Sequence, residues 1–163
     1  MLKKERRPGR SHEGKVQPDQ SQLGETDSSG IRRLVRQGSG TIQTAEAHTF
    51  LGWTYHFQGR LEDAIAECKR AIEIDPDFGN PYNDIGAYMI EQGNLDQAIP
   101  WLQQAIDSKR YEPRHFPHYN LGRAYLGKEM YSQAMRCFQE ALEIEPRYGL
   151  ARQALDSLRR MLN

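Results

Sequence analysis

The sequence predicts an all-α fold, a helical solenoid of three helix-turn-helix repeats closed by a capping helix and preceded by a basic, disordered arm. Three observations predict it. Apolar residues recur at helical spacing from Thr44 onward, small residues recur at matched intervals in three blocks, and the first quarter of the chain is too polar to fold.

Residues 1–44 contain no Phe, Trp or Tyr and eight residues drawn from Met, Leu, Val and Ile. Such a stretch cannot offset an ordering cost of about 1–2 kcal/mol per residue. Within it, residues 31–37 could wind into a helical turn or two, with Ile31, Leu34 and Val35 on one face, before Gly38 and Gly40 stop it. Nine Lys/Arg against five Asp/Glu make this arm basic, whereas residues 45–163 carry thirteen against seventeen. The whole chain is neutral, with 22 of each sign, and has no overall field to steer it toward nucleic acid or anionic lipid.

Three blocks then align on Leu51-Gly52-x-x-Tyr55, Ile85-Gly86-x-x-Met89 and Leu121-Gly122-x-x-Tyr125. An Ala follows each Gly by twelve residues (Ala64, Ala98, Ala134) and a second Ala follows by seven more (Ala71, Ala105, Ala141). Five residues further on stand Pro76, Arg110 and Pro146. The first two glycines are 34 residues apart and the last two 36, which places a two-residue insertion around residues 111–114.

This pattern resembles the tetratricopeptide repeat, a 34-residue helix-turn-helix unit marked by small residues at helix contacts and a closing Pro. The likeness covers about residues 45–148, as repeats at about 45–78, 79–112 and 115–148. It departs at Met89, where Tyr is usual, and at Arg110, where Pro is usual. The resemblance implies a right-handed superhelix whose first helices line a concave, protein-binding side.

In block one His48, Leu51, Gly52 and Tyr55 fall on one helical face and should be the inward stripe. Gly52, Gly86 and Gly122 are expected to let Ala64, Ala98 and Ala134 approach backbone to backbone, because a helical Gly costs about 1 kcal/mol and needs a packing reason. Gly59 and Gly93 should form the intra-repeat turns, with Glu129 in the third block. Pro76 and Pro146 should end the second helices. Pro100 reads as a mild kink near the start of one.

A stacked array needs a lid, and about residues 148–162 supply it. Leu150, Ala154, Leu155, Leu158, Met161 and Leu162 read as its apolar stripe, with Arg152, Gln153, Asp156, Arg159 and Arg160 toward water. No repeat precedes the first block in register, since Pro18, Gly30 and Gln37 fall in the small-residue slots. The amino-terminal edge is therefore a candidate contact surface for residues 31–37, for a second copy or for another protein.

The chemistry of an enzyme is not legible. The sequence has no Gly-rich phosphate loop, GxSxG, HExxH or CxxC, so no catalytic residue, metal or cofactor is assigned. His115 and His118 stand three apart, but a metal needs three or four ligands and no third is evident. Cys68 occupies the slot of Leu102 and Phe138 and reads as a small buried hydrophobe. Glu62, Asp63 and Glu67 read as a solvated helix face. The two cysteines suggest a reducing compartment, and the absence of a long apolar run or signal peptide makes the cytoplasm the expected location.

The face beside the core stripe gives the candidate partner-binding groove: Thr49, Trp53 and His56; Asn80, Asn83 and Ala87; Phe116, Tyr119 and Arg123. Glu46, Ile90 and Leu126 flank it. Trp, Tyr and Arg often dominate interfaces, at about 2 kcal/mol or more when truncated, although such aromatics also serve simply as packing. Asn83 carries donors and acceptors that suit an extended backbone. Some tetratricopeptide proteins clamp the acidic carboxyl terminus of chaperones with Lys and Asn. The matching slots here are Thr49, Trp53, Asp84, Phe116 and Asn120, which disfavours that ligand.

The leading expectation is therefore a protein-interaction module or adaptor. A self-associating scaffold, built through the uncapped first repeat, is the alternative from a different class. Contact of the basic arm with nucleic acid or an anionic surface ranks below both, since charge runs are usually only solvated.

Overall fold

The computed structural model describes residues 44–163; the basic arm, with its short apolar stretch at 31–37, lies outside the described residues. Thr44 itself belongs to the folded part, because its Oγ1 accepts from Ala47 N at 3.1 Å and caps the first helix.

Seven helices follow in pairs. They are α1 (Ala45–Phe57) with α2 (Leu61–Ile74), α3 (Asn80–Glu91) with α4 (Leu95–Asp107), α5 (His115–Gly127) with α6 (Tyr131–Ile144), and finally α7 (Gly149–Leu162). Among the described residues there is no strand, only an isolated parallel bridge between Phe78 and Arg110. Each of the three α-hairpins turns through a residue at positive φ: Gly59 at 74°, Gly93 at 79° and Glu129 at 59°. The second helices α2 and α6 stop at Ile74 and Ile144, two residues before Pro76 and Pro146.

The small-residue slots pack as the repeat register requires. Ala64, Ala71, Ala98, Ala105, Ala134 and Ala141 are all fully buried, together with Ile85, Leu102, Phe138 and Cys68. The mechanism at the glycines differs from simple backbone approach. A Cβ on Gly52 would lie 3.2 Å from both Ala64 O and Cys68 Sγ, whereas one on Gly86 would lie 2.5 Å from Leu102 Cγ. At Gly122 it would meet the Phe138 ring at 2.5 Å. Only the first hairpin, with its small Cys68, closes through the alanine backbone. In the others a large side chain lies across the glycine and fills the gap.

First helices of neighbouring repeats approach one another, α1 with α3 and α3 with α5, more closely than successive second helices do. An array closed up on one side and splayed on the other curves, with the first helices on the inside.

Pro100 sits within α4, which runs through it as one helix, and its ring is exposed. The insertion between the second and third repeats packs instead of looping out. Gly79 N donates to Arg110 O at 2.9 Å and Arg110 N donates to Asp77 O at 3.0 Å. Tyr111 is buried, and a Cβ on Gly79 would come within 2.7 Å of its own Cβ. Arg110, in the slot where a Pro closes the other repeats, bonds Asp75 and Glu46 and covers the Phe78 ring at 4.3 Å. It ties the end of the second repeat to both helices of the first.

The α7 lid differs from its expected stripe. Ala151, Leu155 and Leu158 are buried and Ala154 half-buried, but Leu150, Met161 and Leu162 are at least half exposed.

Candidate functional site

The inner face is assembled by one slot pattern repeated on α1, α3 and α5. The residues at three before, two before and one after the glycine point between neighbouring first helices, and in this chain several are polar. They join into a chain across the three repeats. Trp53 Nε1 on α1 donates to Asp84 Oδ2 on α3 at 2.6 Å. Asn83 Nδ2 reaches Asp84 Oδ1 at 3.4 Å. Asn120 Nδ2 on α5 donates to Asn83 Oδ1 at 2.9 Å, and Arg123 Nη1 donates to Asn120 Oδ1 at 3.0 Å.

Asn83 and Asn120 are each 8% exposed, so their amides serve each other more than a ligand. A hydrogen bond between two buried amides fixes the spacing of α3 and α5, because a slipped register would orphan the Asn120 donor and the Asn83 acceptor. Thr49 is buried too, with its hydroxyl donating to Ala45 O at 2.8 Å. What remains open to a partner is the Trp53 ring, at 37% exposure, with half-exposed Ala87, Tyr119 and Arg123. His56 stacks on Tyr88 at 4.7 Å and pairs with Glu91 at 3.0 Å. Asn80 begins α3 half-buried.

Phe116 and Tyr119 enter an aromatic cluster at the far end, where both meet the Tyr148 ring at 5.6 Å and 5.2 Å. His115 joins it at 4.5 Å from Tyr148. His118 turns away, its Nδ1 3.0 Å from Glu140 Oε2, so the two histidines do not converge. Among the described residues no three His, Cys, Asp or Glu side chains gather where they could hold a metal ion.

Electrostatics single out Asp84. Desolvation between α1 and α3 raises its carboxyl to about 6, although the bonds from Trp53 and Asn83 and the charge of His56 pull the other way. Burial likewise raises the thiols of Cys68 and, to about 11, Cys137, so both are protonated packing groups at neutral pH.

The solvated reading of Glu67 is corrected. Glu67 is 5% exposed, its Oε2 lies 2.7 Å from Nδ1 of His48, itself 4% exposed, and its Oε1 accepts from Arg70 Nη1 at 2.6 Å. Glu62 and Asp63 are exposed as expected. Helical spacing separates Glu67 from Glu62 and Asp63, since it stands three after Ala64 and four before Ala71 on the buried stripe of α2. A second signal was its pairing across the hairpin with a histidine in a core slot.

Sequence reasoning also passed over Phe50 and Phe57, which are 57% and 85% exposed. Carrying the slot two before the glycine through the blocks, to Phe50, Asp84 and Asn120, would have shown an aromatic where the others are polar.

A curved array of paired helices with a polar and aromatic inner face defines a repeat-solenoid interaction module. The chain belongs to the tetratricopeptide repeat family: that repeat's sequence pattern matches residues 45–78 and 117–148, and a second tetratricopeptide pattern matches 67–99. The human protein O-mannosyl-transferase TMTC2 is 32% identical over 103 residues, covering 61% of this chain and 12% of that protein. The chain thus spans a small part of the length of that relative. In fold it is similar to Pseudomonas aeruginosa PilF, with a TM-score of 0.71 at 21% identity over 80% of this chain and 57% of that one. The first tetratricopeptide domain of Spaghetti (RPAP3), bound to an HSP90 peptide, gives 0.68 at 19% identity over 74% and 94%. YrrB, a tetratricopeptide protein with an unusual peptide-binding site, gives 0.65 at 20% over 78% and 63%. Proteins of this family are in general non-catalytic interaction modules. No helix among the described residues is long and apolar enough to cross a membrane.

Proposed function

We propose that this domain holds a peptide or helix of a partner protein against its inner face, with Trp53, Ala87, Tyr119 and Arg123 as the contact residues. The observation that carries the reading is the hydrogen-bonded chain from Trp53 through Asp84, Asn83 and Asn120 to Arg123. It immobilises one aromatic and one cationic side chain before any ligand arrives, which lowers the ordering cost of binding. Three repeats offer a small interface, so an affinity of about micromolar is expected.

The same geometry argues against a carboxylate-terminated chaperone tail such as the one in the Spaghetti complex. Asp84 places an acid at the centre of the face, and Thr49 has committed its hydroxyl to Ala45 O. A ligand with apolar side chains and cationic or amide groups suits Asp84 and Trp53 better.

Affinity capture with the native protein and with Trp53→Ala/Arg123→Ala tests it. Partners retained by the native protein should be lost from the double variant while its helical circular dichroism is unchanged. Recovery of the same partners by both would remove the inner face as the binding surface.

A further inference from the structure

The amino-terminal edge of α1 is built like an interface and has nothing on it among the described residues. In α3 and α5 four slots face the preceding repeat; three of them lie buried or half-buried against it, and the fourth meets it at an exposed rim. Five before the glycine, Pro81 and Pro117 are fully buried, and two after it Tyr88 and Ala124 are at most 4% exposed. Two before it, Asp84 and Asn120 bond the preceding repeat, and five after it Glu91 pairs with His56 and Gly127 sits over Leu95. The same four slots on α1 hold Ala47, Phe50, Thr54 and Phe57. Ala47 and Thr54 are half-buried, while Phe50 and Phe57 stand largely in water. Elsewhere the last two slots are polar or glycine; here both are aromatic.

We propose that this edge is the docking site of the chain's own residues 31–37, which cover Phe50, Thr54 and Phe57 with Ile31, Leu34 and Val35. Position in the sequence favours this occupant. Residues 38–44 join it directly to the start of α1, and seven residues reach at most about 25 Å, against about 20 Å for the length of α1. So short a tether holds the segment at an effective concentration of about millimolar, and a weak contact is then well populated. The pattern fits as well. On a helix Ile31, Leu34 and Val35 share one face, and Arg32, Arg33 and Arg36 take the other. The arm's net positive charge meets a body of net negative charge. Residues 31–37 are too few for another repeat, so they act as a partial cap that leaves the inner face open. The proposal does not depend on what the inner face binds.

Cysteine pairs test it in the full chain. Cys68 and Cys137, at 0% and 5% exposure, do not compete for mild oxidant. Leu34→Cys with Phe50→Cys should form a disulfide within one molecule at least about tenfold faster than Arg33→Cys with Phe50→Cys, since residue 33 points away from the docked face. Equal rates would mean an undirected arm, and bonds formed only between molecules would mean that a second copy takes the edge. Either result overturns the proposal. In parallel, Leu34→Asp/Val35→Asp should lower the melting temperature by about 4 °C or more and make the α1 amides exchange faster. A double variant that melts and exchanges like the native protein would also overturn it.

Discussion

Trp53 Nε1 donates to Asp84 Oδ2 at 2.6 Å, so the first contact between the inner helices of the first and second repeats is a neutral donor meeting a half-buried carboxyl. The indole hydrogen bond keeps the Trp53 ring upright on the inner face. Its cost is a carboxyl held in a poor dielectric, with its titration moved up to about 6.

That shift sets a pH dependence. The folded state holds the Asp84 proton more tightly than the unfolded chain, so its contribution is complete below the unfolded value near 4 and is lost as pH rises through about 6. Asp84→Asn keeps an acceptor for Trp53 and removes the charge. It should flatten the stability curve between pH 4 and 6 and raise stability at pH 7 by about 1–2 kcal/mol, measured by urea unfolding at several pH values.

The glycines should respond unequally to alanine. At Gly52 a methyl group meets Ala64 O and Cys68 Sγ at 3.2 Å, a tight but adjustable fit, and the gain in helix propensity is about 1 kcal/mol. Gly52→Ala should therefore change stability by less than about 0.5 kcal/mol. Gly86→Ala and Gly122→Ala drive into Leu102 and Phe138, both with 0% exposure and no room to swing aside. Each should lose about 1–2 kcal/mol net of the propensity gain. Equal effects at all three sites, in thermal or urea unfolding, would contradict the packing described.

Removing Glu67 should cost more than an ordinary helix-surface change. Glu67→Ala leaves buried His48 Nδ1 without its partner, at about 1–3 kcal/mol. Glu67→Gln, which can still bond the imidazole, should lose less. Glu62→Ala, on the exposed side of the same helix, should stay within about 0.5 kcal/mol, and denaturant midpoints for the three variants give the comparison.

The third hairpin invites a gain. Glu129 adopts φ 59°, where Gly59 and Gly93 serve the other two hairpins, and its side chain is exposed. Glu129→Gly should stabilise the domain by about 1 kcal/mol by removing a left-handed non-glycine residue. Thermal unfolding should show a rise in melting temperature, and a fall would mean that the Glu129 side chain makes a contact of greater worth.

Reading the sequence located the repeats because the register is written in side-chain size. Gly52, Gly86, Gly122 and the six buried alanines are small where two helices cross, and a helix crossing tolerates little else. The site was less legible. Slot position picked out Trp53, Ala87, Tyr119 and Arg123, the residues proposed as contacts, whereas the burial of Thr49, Asn83 and Asn120 depends on how closely α1, α3 and α5 approach. Glu67 lay on the stripe of Ala64, Cys68 and Ala71, but a carboxylate there reads as solvated until the His48 that meets it across the hairpin is in place.

The sequence by itself determined the helices, the turns at Gly59, Gly93 and Glu129, and the membership of three repeats in one array, because these follow from backbone preference and local spacing. Only the tertiary structure decided that Leu102 and Phe138 lie across their glycines, that Arg110 replaces a proline with a bridge to Asp75 and Glu46, and that Asp84 joins Trp53. Those relations link side chains from separate elements, and their distances are fixed by packing between helices that no single stretch of sequence contains.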